Sequence, residues 1–297
     1  MNRSRLVIKT LAALAGLGLV VPLSACSSAT SPSSTPTMAA SPASTPSDTA
    51  TQPNLQTYTP GVLTVATGDP AYSPWVENDD PSSGQGFESA VIYAVAKQLG
   101  YTNDQVVWVR TTFDGAIAPG PKAWDMNIQQ FTITADREQA VDFSTPYYTT
   151  NQAIVTYAGS PADGAKSLAD LANVNFGVQV GTTSLTALTD IIKPTNQPMI
   201  YNSSDDVVQA LVNKQVDAIV VDLPTALYLV SAELDNGVVV GQLSSSAGGD
   251  DFGILLPKGS PLTAPVSAAV DALRADGTLA ALQQQWLSDS IDVPVLQ

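Results

Sequence analysis

From Tyr58 to the end of the chain, short apolar runs rich in valine and isoleucine alternate with longer segments of helical period. That alternation is the pattern of a parallel sheet covered by helices. Leu63 to Thr67 reads as a strand, and Phe87, Ala90, Val91, Ala94, Val95 and Leu99 then share one face of a helix that Gly100 stops. Val106 to Val109 reads as the next strand. A second round begins near Asn175, with a strand at Phe176 to Val180, helices over Ser184 to Ile192 and Asp205 to Asn213, and a buried strand at Ala218 to Val221. Two similar units in tandem imply two lobes. The chain then returns to strand residues at Phe252 to Leu256 and to helices over Leu262 to Ala275 and Thr278 to Leu287, with Gly277 between them as a C-cap.

The first residues break this pattern. Arg3, Arg5 and Lys9 make a basic start, and Thr10 to Leu23 is an apolar run containing small residues. Together they read as a bacterial export signal over residues 1–25. The run is shorter than the roughly 20 apolar residues that a membrane-spanning helix needs. It ends in Leu23-Ser24-Ala25-Cys26, which resembles the lipobox where lipoprotein precursors are cleaved and lipidated. Cys26 is thereby the expected lipidation site, and an uncleaved anchor is the alternative. Ser27 to about Thr57 is almost entirely Ser, Thr, Pro and Ala, with too little apolar surface to offset the entropy of ordering. It reads as a tether of up to about 100 Å when fully extended.

Charge and composition then exclude several function classes. The formal charge is −15, and loss of residues 1–25 removes three basic residues and no acid. So acidic a surface argues against nucleic acid, whose binding rests on neutralising phosphates, and against adsorption to anionic lipid through a basic patch. With no histidine, a His-ligated zinc and Ser-His-Asp or Cys-His catalysis are excluded. Cys26 is the only cysteine, so no intramolecular disulfide can form.

Several stretches resemble one family. They are Gly61 to Trp75 with Asp69 and Tyr72, Gly86-Phe87-Glu88, and Phe131-Thr132 through Arg137 to Tyr148. Further on come Val180-Gly181-Thr182-Thr183-Ser184, Val216-Asp217 to Asp222, and Leu273 to Leu279 with Trp286. In this order over about residues 58 to 290 the chain is similar to the amino-acid-binding solute-binding proteins of ABC importers, family 3. The resemblance implies a two-lobed α/β fold of the periplasmic-binding-protein type (type II). Each lobe would be a mainly parallel sheet flanked by helices, with a hinge of two strands. Residues 58–150 plus 251–297 would form the first lobe and 151–250 the second.

A free amino acid is a zwitterion, so a cleft that removes it from water must supply a cation for the carboxylate and acceptors for the ammonium. Arg137 suits the carboxylate because a guanidinium grips both oxygens, and its position matches the family's carboxylate-binding arginine. A surface pairing with Asp136 or Glu138 is the alternative. The resemblance adds Thr132 to that clamp, and Thr182 and Thr183 from the second lobe, where either threonine could instead simply cap a helix. Asp222 ends a buried strand, at the sheet edge where open α/β folds bind ligands. It is assigned the ammonium, with helix capping as its other reading. Tyr72, Trp75 and Phe113 are candidates for aromatic walls around the ligand's side chain; Tyr72 and Phe113 fit the family's pocket positions better, and a core role alone is the other reading of Trp75. Asp69 and Glu88 match positions that meet polar or cationic side chains in some relatives, although either could be solvated or capping.

Three acids against one arginine point to a polar and cationic ligand such as arginine, lysine or ornithine. Two features depart from the family pattern. Gln129-Gln130 stands where relatives have small residues, so that Gln130 could instead select a neutral amide, and Ala118-Pro119-Gly120-Pro121 interrupts a longer helix. The expectation is a monomeric binder without cofactor, held by lipid on the outer face of the bacterial cell membrane, which delivers its ligand to ABC permease subunits. Two rivals use the same cleft: an enzyme of the cyclohexadienyl-dehydratase type, and a ligand-sensing receptor subunit.

Overall fold

The computed structural model describes residues 55–244, 249–287 and 293–297. The segments expected to be the export signal and nearly all of the tether, with Cys26 between them, lie outside the described residues. Among the described residues no helix is long and apolar enough to cross a membrane.

The chain runs through β1 (Leu63–Thr67), α1 (Phe87–Gln98), β2 (Val106–Arg110), α2 (Phe113–Ile117), β3 (Met126–Asn127), β4 (Val141–Phe143) and β5 (Tyr148–Thr150). It continues through β6 (Gln152–Tyr157), β7 (Phe176–Gln179), α3 (Thr183–Ala187), β8 (Met199–Tyr201), α4 (Ser204–Val212), β9 (Ala218–Asp222), α5 (Leu223–Tyr228) and β10 (Gly237–Leu243). It then returns by β11 (Asp250–Phe252) to β12 (Leu255–Pro257), α6 (Thr263–Ala275), α7 (Thr278–Trp286) and finally β13 (Val295–Leu296).

Two sheets result, of order β2-β1-β3-β12-β4 and β13-β10-β6-β9-β7-β8. Between them a small antiparallel pair, β5 with β11, carries the chain out of the first sheet and back again. The molecule is thus the two-lobed α/β fold that the alternation of elements implied. Both sheets are mixed rather than mainly parallel. β1 pairs in parallel with β2 and β3, but β12 comes back from the hinge antiparallel to β3 and β4. In the second sheet β6 lies antiparallel to both β9 and β10, because it enters from the hinge against the direction of its neighbours.

Local sequence explains the elements nearest the cleft. β1 is buried along its whole length, as a central strand covered on both faces must be. Gly86 opens α1 at φ 94, and a Cβ there would lie 2.5 Å from the Trp75 carbonyl oxygen. The Gly86-Phe87-Glu88 motif is therefore a contact motif: it lets α1 close onto the Trp75 loop, where the amide of Glu88 donates to Trp75 O at 2.9 Å. α2 stops after one turn. Ala118 precedes Pro119 and takes ψ 144, as a residue before proline prefers.

Two expectations are corrected here. Phe252 to Leu256 is not one strand: Phe252 belongs to the hinge pair and Leu255 to the first sheet, with Gly253 and Ile254 as the step between them. Nor do residues 251–297 all belong to the first lobe, since Val295 and Leu296 pair with Gln242 and Leu243 of the second sheet. A two-residue strand carries too little pattern to reveal its partner.

The first lobe's main core packs α1, α6 and α7 on its sheet, and the second sheet has an apolar cluster on each face. An aromatic group of Trp75, Phe87, Tyr147, Tyr148 and Phe252 joins the first core to the hinge, with ring centroids 5.4 to 6.3 Å apart. Phe252 is fully buried at its centre. Phe252→Ala is expected to cost about 3–5 kcal/mol, read as a lowered urea midpoint. A loss below about 1 kcal/mol would contradict that packing.

Candidate functional site

A cavity of about 160 Å³ lies between the two sheets, several times what a single water needs. Its walls come mainly from segments that follow the carboxyl ends of strands: Asp69 after β1, Phe113 after β2, Gln130 after β3, Thr182 after β7, and Asp222 at the end of β9. Strand ends gather polar groups at such an edge because the backbone there leaves the ladder and turns.

Arg137 reaches this cavity from the first lobe. Its Nη1 donates to Thr132 O at 2.7 Å and its Nη2 to Gly181 O at 2.9 Å, and the guanidinium lies 5.3 Å over the Phe113 ring. It forms no ion pair with Asp136 or Glu138 among the described residues. Burial lowers its pKa, against the opposing charges of Asp250, Asp222 and Asp114. Only two of the five guanidinium donors are used by the backbone carbonyls.

Asp222 reaches the same cavity from the second lobe. It makes no side-chain cap to α5, so the capping reading falls away. Instead Gln152 Nε2 donates to Asp222 Oδ1 at 2.7 Å and also to Asp250 Oδ2 at 2.5 Å. Ser184 Oγ donates to Gln152 Oε1 at 2.7 Å and fixes the amide. Burial, and then the charge of Asp250, push the Asp222 carboxyl up to about 7.

The other expected residues take different places. Tyr72, Phe113 and Gln130 line the cavity as anticipated, and burial pushes the Tyr72 hydroxyl up to about 12. Thr182 lines it too, but its hydroxyl accepts the Leu185 amide at 3.3 Å and so caps α3. Asp69 lines the cavity from an exposed position. Thr132 lies behind the lining, its carbonyl holding Arg137 and its hydroxyl 3.1 Å from that of Thr183 across the cleft.

Glu88 is a correction. It is wholly buried and absent from the cavity wall. The first turn of α1, held against the Trp75 loop, turns its carboxylate inward, where Tyr147 and Gln130 bind it. Burial pushes that carboxyl up to about 7. Trp75 fills both of its readings: it packs in the core and lines the cavity, and its Nε1 donates to Thr225 Oγ1 of α5 at 2.9 Å. With Thr132 to Thr183 and Arg137 to Gly181, that makes three hydrogen-bonded contacts between the lobes among the described residues.

Sequence reasoning missed Gln152 and Asp250. A glutamine opening the apolar run Ala153-Ile154-Val155 was the available signal. Its meaning depends on register, because Gln152 lies directly opposite Asp222 in the sheet. Asp250 lies at the start of the returning hinge strand, opposite Thr150.

Residues 63–289 match the family model of bacterial extracellular solute-binding proteins, family 3. A probable histidine-binding protein of Campylobacter jejuni is 30% identical over 70% of this chain and 78% of its own. The L-arginine-binding protein of Pseudomonas aeruginosa is 30% identical over 73% of this chain and 85% of its own. Among solved structures, the ancestral amino acid-binding protein AncCDT-1, described as a precursor of cyclohexadienyl dehydratase, aligns with a TM-score of 0.64 at 32% identity. That alignment covers 77% of this chain and 96% of the other. With the two-lobed fold and the interlobe cavity, these matches establish that the chain belongs to the bacterial extracellular solute-binding proteins, family 3.

Proposed function

We propose that this protein captures a free amino acid, with a cationic side chain preferred, and presents its closed form to the permease of an ABC importer. The observation carrying this reading is that Arg137, from the turn before β4, and Asp222, from the end of β9 in the other sheet, line one cavity. In this reading the carboxylate takes the guanidinium donors that Thr132 and Gly181 leave over, and the ammonium lies against Asp222 and its neighbour Asp250. Each charge of the ligand then engages a different lobe, so the ligand favours the closed state by its differential contacts. Asp69, Asp222 and Glu233 on the lining against Arg137, and a relative named for arginine, support the cationic preference. Lipid on Cys26 would hold the protein at the outer face of the membrane.

A thermal-shift screen of the purified protein against the common amino acids tests this directly. A ligand at about 100 times its Kd adds about 2.7 kcal/mol, which for a protein of this size is a shift of about 5–10 °C. Arginine, lysine or ornithine should give the largest shift. The largest shift with glutamate would contradict the cationic preference, and no shift with any amino acid would contradict the reading as a whole.

An enzymatic reading is favoured by one pair of observations: a cavity carboxyl near neutrality, and a structural relative described as the precursor of a dehydratase. Against it, Glu88, the other carboxyl near neutrality, is sealed from the cavity and so cannot reach a ligand as general acid. Incubation with prephenate or arogenate should give no turnover. Measurable product would favour the enzyme.

A further inference from the structure

Gln130 lines the cavity with a backbone that residues other than glycine seldom adopt, at φ 51. Such a conformation is unfavourable for a residue with a side chain and persists where its surroundings impose it. Glu88 imposes it here. One carboxylate oxygen accepts the Gln130 amide at 2.7 Å and also the Tyr147 hydroxyl, and the other accepts Gln130 Nε2. Glu88 is fully buried and has no cationic partner among the described residues. These donors are its compensation.

An ionised carboxylate can only accept hydrogen bonds. The side-chain amide of Gln130 must therefore turn its NH2 toward Glu88 and its carbonyl the other way. No protein donor among the described residues reaches Gln130 Oε1. Nor is this oxygen among the sealed polar atoms without a partner, where the oxygen of its neighbour Gln129 is found. Gln130 Oε1 is thus the accessible end of an amide whose direction is already fixed.

We infer that Glu88, without touching the ligand, is a positioning residue that makes Gln130 a fixed hydrogen-bond acceptor in the cavity wall. The cavity is thereby biased toward amino acids whose side chains donate, through guanidinium, ammonium or carboxamide NH2, and against those that end in a carboxylate. A free glutamine amide could turn either face to a ligand, but one locked by a carboxylate cannot. The inference rests on the amino-acid reading of the cavity. It adds to the surplus acids a selective device that Asp69 and Asp222 do not supply, because a variant at position 88 leaves both in place.

Calorimetric titration of the purified protein with L-arginine, L-glutamine and L-glutamate at about pH 8, above the Glu88 value of about 7, tests it in wild type, Gln130→Met and Glu88→Gln. Methionine keeps the length of the side chain without its acceptor. Gln130→Met should weaken arginine and glutamine about 5- to 20-fold and leave glutamate within about twofold, as loss of one buried hydrogen bond requires. Glutamine at 88 can present either end of its own amide, so Glu88→Gln should narrow the arginine-to-glutamate ratio at least about fivefold while circular dichroism stays native. Should Glu88→Gln fail to fold, Gln130→Met decides alone. If arginine binds wild type and its ratio to glutamate stays within about twofold in each folded variant, the inference is overturned while the amino-acid reading stands. Tighter binding of glutamate than arginine by wild type would overturn it as well, and binding of no amino acid removes the reading and this inference together.

Discussion

Replacing Arg137 with alanine is expected to weaken amino-acid binding by about 10²- to 10⁴-fold, because removal of one partner of an enclosed charge pair leaves the other uncompensated, at about 3–5 kcal/mol. The fold should survive. Among the described residues Arg137 contributes no ion pair to the packing, and its two hydrogen bonds go to carbonyls at the cleft rather than into a core. Calorimetry together with thermal unfolding separates the two effects: affinity collapses while the midpoint of the ligand-free variant stays within a few degrees of wild type. Unchanged affinity would move the carboxylate clamp elsewhere.

The second large effect concerns pH. The Asp222 carboxyl is raised from its ordinary 3.8 to about 7, by burial first and by Asp250 second. Between those values the folded protein holds a proton that the unfolded chain has released. Stability of the ligand-free protein therefore rises as pH falls from about 8 toward 4, by up to about 4 kcal/mol from this group. Affinity must move the opposite way. An ammonium beside Asp222 favours the ionised carboxylate, so binding releases a proton, and affinity should fall by up to about tenfold for each pH unit below about 7. Asp222→Asn should bind weakly and lose most of this dependence. An affinity flat between about pH 5 and 8 in wild type would show that Asp222 does not hold the ammonium.

Much of this architecture was legible because its signals are local. Periodicity marks β1 and α1, the proline at 119 stops α2, and the end of the buried strand at Asp222 puts an acid at a sheet edge. Arg137 and Asp222 do reach one cavity. What could not be read depends on contacts between distant segments. Gln152 gains its meaning only from lying opposite Asp222 in the sheet, and Asp250 only from the same amide joining it to Asp222. Glu88 turned out to be interior because Gly86 lets the helix approach the Trp75 carbonyl, which no spacing in the sequence encodes. Trp75 reads as core or as cavity wall and is both, yet its one polar side-chain atom crosses to the second lobe, which no sequence signal shows. β13 returns to the second sheet through two residues, too few for any pattern.

The central claim is that a cation on one lobe and a carboxylate on the other hold the two charges of a single small solute. It is tested most directly by titrating the amino acid that stabilises the protein most against its decarboxylated amine and its Nα-acetyl derivative. Both analogues should bind at least about 100-fold more weakly than the parent, since each leaves one buried charge unanswered. Should either analogue bind within about threefold of the parent, Arg137 and Asp222 do not act as the two halves of a zwitterion clamp.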